Sequence, residues 1–313
     1  MVVRHPYQDQ PDLERMRHLL VEGRRLSLGP YYVHVGDLNW WLYYFLRDLD
    51  WSEIIRLWER DRDGLLLAWA LFSPAYPAFD VFVHPTECSG MMRAEIVAWA
   101  AAYAETAVRR AGGRNLQTVW VAEADLQLIE ILEGLGFQRA EGSLFQLERP
   151  LGSLLAPEVP TGYEIRTVAG EYEAEERARA SHEAFESPRP FDDYLQNYTE
   201  FMRSPAYEVA LDLVAVSQSG EIASFCIAWP DPASGMGLLE PVGTRPAYQK
   251  LGLGRATILE ALRRLRALGM ESAMVCVEDE NRAAQRLYAS LGFTPASELR
   301  TYARDVTGAG HGL

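Results

Sequence analysis

The chain repeats itself, and no other feature constrains its fold as strongly. Gly113 and Gly269, Val119 and Val275, Val121 and Val277, and Gly136 and Gly292 each stand 156 positions apart. An earlier pair, Gly64 and Gly220, keeps the same offset inside two strand–turn–strand patterns, "WERDRDGLLLAWALF" and "VAVSQSGEIASFCIAW". Two separate anchors at one offset mark a tandem duplication, and 313 residues suit two related domains. Arg93 and Arg255 look equivalent yet lie 162 apart, so the first half approaches this point by a shorter path and follows it with a longer helix. The segment Pro150 to Gly162, "PLGSLLAPEVPTG", is rich in Pro and Gly and has no periodicity. The expected division is therefore residues 1–149, a linker over 150–162, and residues 163–313.

Composition removes several classes of function. Forty-four acidic against thirty basic residues give a formal charge of −14, which argues against nucleic-acid and anionic-membrane partners. No apolar run reaches the roughly 20 residues of a membrane span, and Met1 to Pro11 lacks the apolar core of a signal peptide. The three cysteines, Cys88, Cys226 and Cys276, have no ligand spacing, and the six histidines are scattered. A cytoplasmic protein with reduced thiols and no metal site is expected. Lys250 is the only lysine of the chain.

In the second half, Tyr163–Val168 alternates as a strand, while Glu173–Phe185 and Phe191–Arg203 read as helices. Glu208–Val216 and Ile222–Trp229 form a hairpin about Ser219-Gly220. Met236–Thr244 is a further strand, then come a glycine-rich turn and a helix from Gly254 to Leu268. Ser272–Val277 is a buried strand and Arg282–Leu291 a helix. Phe293 and Leu299–Arg304 supply one or two closing strands, and the final "TGAGHGL" is expected to lack order. The fold class is α/β: in each half a mixed, mostly antiparallel sheet flanked by helices.

The most informative stretch is "RPAYQKLGLGRATILEALRRLRALG". Gln249, Lys250, Leu251, Gly252, Leu253, Gly254 and Arg255 lead into a helix whose apolar face is Ile258, Leu259, Leu262 and Leu265. Gly252 and Gly254 permit a tight turn with unhindered amides. The first helical turn adds unpaired N–H groups carrying partial positive charge. Together they suit a phosphate or diphosphate, with Lys250 and Arg255 at the rim. No Gly-Lys-Ser/Thr follows, which excludes a Walker loop, and Thr257 stands where the dinucleotide fingerprint needs its third glycine.

Pro241 to Pro246, followed by Gln249-x-x-Gly252-x-Gly254-Arg255-Ala256, resembles the acetyl-CoA loop of the GNAT N-acetyltransferase superfamily. A second signature of that family follows in order: Asn281 to Tyr288, then Gly292-Phe293. The resemblance covers Tyr163 to Arg304 and extends more faintly, through the repeat, to residues 1–149. It implies that acetyl-CoA is the co-substrate. Amides of Gln249, Lys250, Leu251, Gly252, Leu253, Gly254, Arg255 and Ala256 would hold its diphosphate. Val242, Gly243 and Thr244 would bond the pantetheine arm as an added strand, and Asn281 would touch that arm. Tyr288 matches the tyrosine that protonates the departing thiolate.

Acetyl transfer to an amine needs a base, a polarised carbonyl and a proton for sulfur. Glu240, on the strand before the pantetheine-binding residues, is the preferred base; Glu278 and Asp279 are alternatives, and Asp279 or Glu280 would equally suit a helix cap. A backbone N–H near Val242 would polarise the carbonyl. Cys276 reads as packing rather than a nucleophile, so the amine attacks directly.

At the positions of the loop the first half has Gly90-Met91-Met92-Arg93, and it has Leu132 and Asp125 in place of Tyr288 and Asn281. It reads as a silent copy that shapes a cleft. The aromatic cluster Asp37 to Trp51, with Trp40, Trp41 and Tyr44, reads as inter-domain packing or as a wall for a hydrophobic or cationic amine. His182, Glu186, Asp192, Asp193 and Tyr194 fall where the family places its acceptor-binding helices. The expected acceptor is the amine of a small molecule or peptide, used by a monomer or homodimer. The tandem layout also resembles mycothiol synthase, which acetylates a cysteinyl pseudodisaccharide. The class-level alternative is a non-enzymatic acyl-CoA sensor.

Overall fold

The computed structural model describes residues 1–26 and 32–307; the tail "GAGHGL" lies outside the described residues. The first half runs β1 (Val2–Pro6), α1 (Gln10–Leu26), α2 (Val35–Trp40), α3 (Trp51–Ile54), β2 (Ile55–Arg60), β3 (Leu65–Ser73), β4 (Ala78–Val83), α4 (Gly90–Arg110), β5 (Asn115–Ala122), α5 (Leu126–Gly134) and β6 (Gln138–Pro150). A π-helical turn, Trp41–Phe45, continues α2. The second half runs β7 (Tyr163–Thr167), α6 (Ala174–Ala184), α7 (Phe191–Met202), β8 (Asp212–Ser217), β9 (Ile222–Asp231), β10 (Met236–Thr244), α8 (Leu253–Ala267), β11 (Ser272–Glu278), α9 (Arg282–Ser290) and β12 (Thr294–Asp305).

The duplication survives in backbone detail. The turn glycines Gly64 and Gly220 take φ of +67° and +89°, and Gly136 and Gly292 take +82° and +84°, a left-handed region that a Cβ disfavours. The first half's helix after the loop is longer, 21 residues in α4 against 15 in α8.

Among the described residues, twelve strands join one sheet in the order β1-β2-β3-β4-β5-β12-β6-β11-β10-β9-β8-β7. Only β4–β5 and β10–β11 pair in parallel; the other neighbours are antiparallel. The order reads the same from both ends under the repeat, with one exchange at its centre. β12 closes the first half by pairing with β5, from Leu299↔Ala122 to Asp305↔Asn115. β6 closes the second half by pairing with β11, from Ser272↔Pro150 to Glu278↔Leu144. Each half thus finishes its sheet with the other half's last strand.

The cores follow this exchange. Tyr302 and Val306 pack into the first-half core, and Leu147 and Leu151 into the second. A third core lies between the halves, where Trp40 and Tyr44 meet Tyr198, Phe201, Ile227, Trp229 and Met236. Trp40 stacks on Tyr44 at 4.1 Å and meets Phe201 edge-on at 4.8 Å, so these two aromatics serve packing. Among the described residues no helix is long and apolar enough to cross a membrane.

Candidate active site

The site begins where two parallel strands part. β10 and β11 pair only over Met236↔Ser272, Gly237↔Ala273 and Leu238↔Met274. Beyond that, β10 shifts register against β9 between Leu239 and Val242 and leaves β11. A cavity of about 400 Å³ opens in the gap. Glu240, Val242, Cys276, Glu278, Asn281 and Tyr288 line it from the second half, with Trp120 and Leu144 from the first.

At one end of this gap lies the glycine loop. Gly252 caps α8 in the left-handed conformation, φ +87°, with no side-chain cap, and Lys250 also has positive φ, +63°. The first helical bond runs from Ala256 N–H to Gly252 O at 3.0 Å. That leaves the amides of Lys250, Leu251, Gly252, Leu253, Gly254 and Arg255 without an acceptor among the described residues. Six successive free N–H groups at a helix N-terminus form an anion cradle. The Ala256 amide is spent inside the helix, and the Gln249 amide bonds Pro246 O.

The two loop glycines do different work. A Cβ on Gly252 would meet nothing within 4 Å, so its conformation is what requires glycine. A Cβ on Gly254 would sit 2.9 Å from Thr244 Oγ1, so glycine there lets α8 lie close against β10. Gly243 likewise has no room for a Cβ because of the Phe225 ring. Arg255 donates to Ser290 O and Oγ at 3.2 and 2.8 Å, tying α8 to α9.

Tyr288 and Glu240 reach the same cavity. Tyr288 is 5% exposed, packs edge-on against Phe293 at 5.6 Å, and makes no hydrogen bond through its hydroxyl among the described residues. Burial pushes its phenol well above the ordinary range, which keeps it protonated. Glu240 is held above the carboxylate range by burial and by the carboxyl of Asp37, which faces it from α2. Trp229 Nε1 donates to the main-chain oxygen of Glu240 at 2.6 Å. Burial also raises the Cys276 thiol, beside the same two acids, which disfavours a thiolate nucleophile.

The remaining expected residues are distributed as follows. Asn281 is the N-cap of α9, its Oδ1 accepting from Ala284 N–H at 3.0 Å, so neither Asp279 nor Glu280 caps the helix. Glu278 lines the cavity, whereas Asp279 accepts from Ser143 Oγ at 3.2 Å. His182, Glu186, Asp192, Asp193 and Tyr194 do not line the cavity; Phe185, from the same segment, does. His182 bonds Arg189 O at 2.9 Å, and Asp192 and Asp193 are exposed in the first turn of α7. Trp41 packs on Trp120 at 5.5 Å and backs the cavity wall. Asp37, Trp120 and Phe185 are the residues that sequence reasoning passed over.

The equivalent place in the first half is built differently. Ser89, not a glycine, caps α4 and accepts from Met92 N–H at 3.2 Å. The His84 ring takes the amides of Thr86 and Glu87, both at 3.3 Å. Asp125 caps α5 and pairs with Arg93 at 2.5 Å, and both line a first-half cavity of about 310 Å³. Leu132 is fully buried in the core.

Comparisons with known proteins bear on the family and the fold. The sequence model of the acetyltransferase (GNAT) family matches residues 172–293. The mycothiol acetyltransferase of Thermobispora bispora is 33% identical over 196 residues, 60% of this chain and 65% of that protein. That of Mycobacterium ulcerans is 31% identical over 225 residues, 65% of this chain and 69% of its own length. The chain spans between about half and about two thirds of the curated relatives it matches. A GCN5-related N-acetyltransferase from Sphaerobacter thermophilus superposes with TM-score 0.69 at 19% identity, covering 99% of this chain and 97% of that one. A tandem GNAT protein from the clavulanic acid biosynthesis pathway superposes at 0.68 and 16%, covering 99% and 100%. At such identities these two speak for the fold.

Proposed function

The chain belongs to the acetyltransferase (GNAT) family, and from that premise we propose that it transfers an acetyl group from acetyl-CoA to a primary amine of a small molecule or peptide, with the second half active. One observation carries the reading: the row of free amides from Lys250 to Arg255 follows the parted end of β10, where Gly254 lies against Thr244, and the gap beside that strand holds Glu240 and Tyr288.

The residues fit the co-substrate. The amide row and the α8 dipole would hold a diphosphate, and the parted edge of β10 at Val242, Gly243 and Thr244 would receive an extended arm. When bound, acetyl-CoA supplies the activated acetyl group. The backbone N–H near Val242 would bond its carbonyl oxygen. The carboxyl group of Glu240, in its ionised state, takes a proton from the incoming ammonium; the neutral nitrogen then attacks the carbonyl carbon, and its second proton replaces the one Tyr288 gives up. Tyr288, still protonated at neutral pH, gives its proton to the sulfur as the carbon–sulfur bond breaks. Asn281 keeps its side-chain amide nitrogen free for the arm while its oxygen caps α9.

The first half is proposed to be silent toward acetyl-CoA, because the Met92, Thr86 and Glu87 amides are already taken by Ser89 and His84, and Asp125, which stands where the second half has Asn281, is paired with Arg93. A second reading of the acceptor draws on the similarity to mycothiol acetyltransferases: a cysteinyl pseudodisaccharide amine. The test is acetyl-CoA-dependent thiol release against a panel of amines that includes this one. Release stimulated by an amine supports transfer. Tight acetyl-CoA binding with no stimulated release points to a sensor.

A further inference from the structure

We propose that Asp37, contributed by the first half, shares a single proton with Glu240, so that the two carboxyls carry one negative charge and Asp37 acts as the positioning residue of the base. That such a pair serves as the base rests on the transferase reading; that the pair exists does not.

The first half delivers Asp37 by a fixed route. His34 caps α2, its Nδ1 accepting from Gly36 N–H at 2.9 Å while its Nε2 lies 3.2 Å from Met236 O on β10. One neutral tautomer satisfies both contacts, Nδ1 accepting and Nε2–H donating, and burial holds the ring neutral, with its pKa lowered to about 4. The cap therefore clips α2 to the strand that carries Glu240. Gly36 allows this approach, since a Cβ there would lie 2.6 Å from Trp229 Cβ and Cγ.

The carboxyl that arrives is incompletely satisfied. Asp37 is 1% exposed. Its Oδ2 accepts from His34 N–H at 2.6 Å, while its Oδ1 is buried with no donor among the described residues. The group facing it is the Glu240 carboxyl, an acceptor too when ionised. A proton on either carboxyl supplies the missing hydrogen bond and removes the repulsion between two facing like charges. Arg24 of α1 is a basic side chain that acts on Asp37, and it also lies 3.5 Å from Glu148. His34 is neutral, and burial keeps Cys276 of β11, Cys226 of β9 and Tyr288 of α9 protonated. Asp231, at the end of β9, acts on His34.

Such a pair takes up a proton as a unit. An acceptor ammonium would lose its proton to the monoanion, leaving both carboxyls protonated and the amine neutral.

Infrared spectroscopy of the free protein at neutral pH tests the pair without acetyl-CoA or any acceptor. Wild type should show the carbonyl band of a protonated carboxyl that is lost in both Asp37→Asn and Glu240→Gln. Asn at 37 can still accept from His34 N–H, so the cap survives. Asp80, which burial raises to about 7, gives a band of its own, so wild-type-minus-variant differences are read. The acid limb of kcat/KM in Asp37→Asn should move down by about one pH unit or more. No difference band in either variant, or an Asp37→Asn acid limb at the wild-type pH, overturns the proposal. A difference band in a protein that acetylates no amine leaves the pair standing and removes the transferase reading instead.

Discussion

The backbone of Gly36 lies against the side chain of Trp229, so close that a Cβ would come within 2.6 Å of its Cβ and Cγ. Through this contact the first half places Asp37 against Glu240 of the second, and the same indole donates to Glu240 O. Gly36→Ala should push α2 off β9 and β10 at a cost of about 1–3 kcal/mol. Thermal unfolding would show the loss. kcat should fall although no lining residue has changed, and acetyl-CoA affinity should stay near wild type; an unchanged kcat would show that the placement of α2 does not matter.

Tyr288→Phe removes the proposed proton donor and keeps the ring against Phe293. Turnover should drop by roughly 10²-fold or more, with acetyl-CoA affinity little changed. Steady-state rates with calorimetric Kd values separate the two quantities. Equal rates would remove Tyr288 as the acid.

Much of this site was legible in the sequence because its determinants are local. Met236–Thr244 reads as a strand and is one, and Gly252 at a strand-to-helix turn signals its own backbone conformation. The exchange of β6 and β12 was not legible. The two strands are equivalents under the repeat, starting at Gln138 and Thr294, so their patterns suit either slot and only tertiary pairing decides between them. Asp37 was hidden for a related reason. It stands beside an aromatic run whose packing role is real, and nothing local ties its carboxyl to a strand in the other half. Asp192 and Asp193 show the converse, acids that favour the start of α7 through the helix dipole.

The exchange has a direct consequence. A chain cut to residues 163–313 loses β6, and β11 loses its partner from Ser272 to Glu278. It should be poorly soluble or form strand-exchanged oligomers, and co-expression with residues 1–162 should restore a soluble complex. Size-exclusion chromatography reads this. A soluble, active monomer of 163–313 would contradict it.

Burial raises Asp37 from the ordinary carboxylate range to about 6 in the folded protein. The folded state therefore holds this proton more tightly than the unfolded chain does. The resulting stability is full below about pH 4 and is lost as pH rises through about 6. Asp37→Asn removes that dependence. Relative to wild type it should gain stability between pH 4 and 7, on the order of 2 kcal/mol. Denaturant unfolding at several pH values measures the difference, and parallel curves would show that Asp37 titrates normally.

The central claim is that the amides from Lys250 to Arg255 hold acetyl-CoA, and isothermal titration with acetyl-CoA tests it most directly. Wild type should bind one molecule per chain, and Gly254→Met, which forces α8 away from Thr244, should weaken binding at least tenfold while circular dichroism stays native. Two equivalent sites per chain, or a single site indifferent to Gly254→Met, would contradict the account.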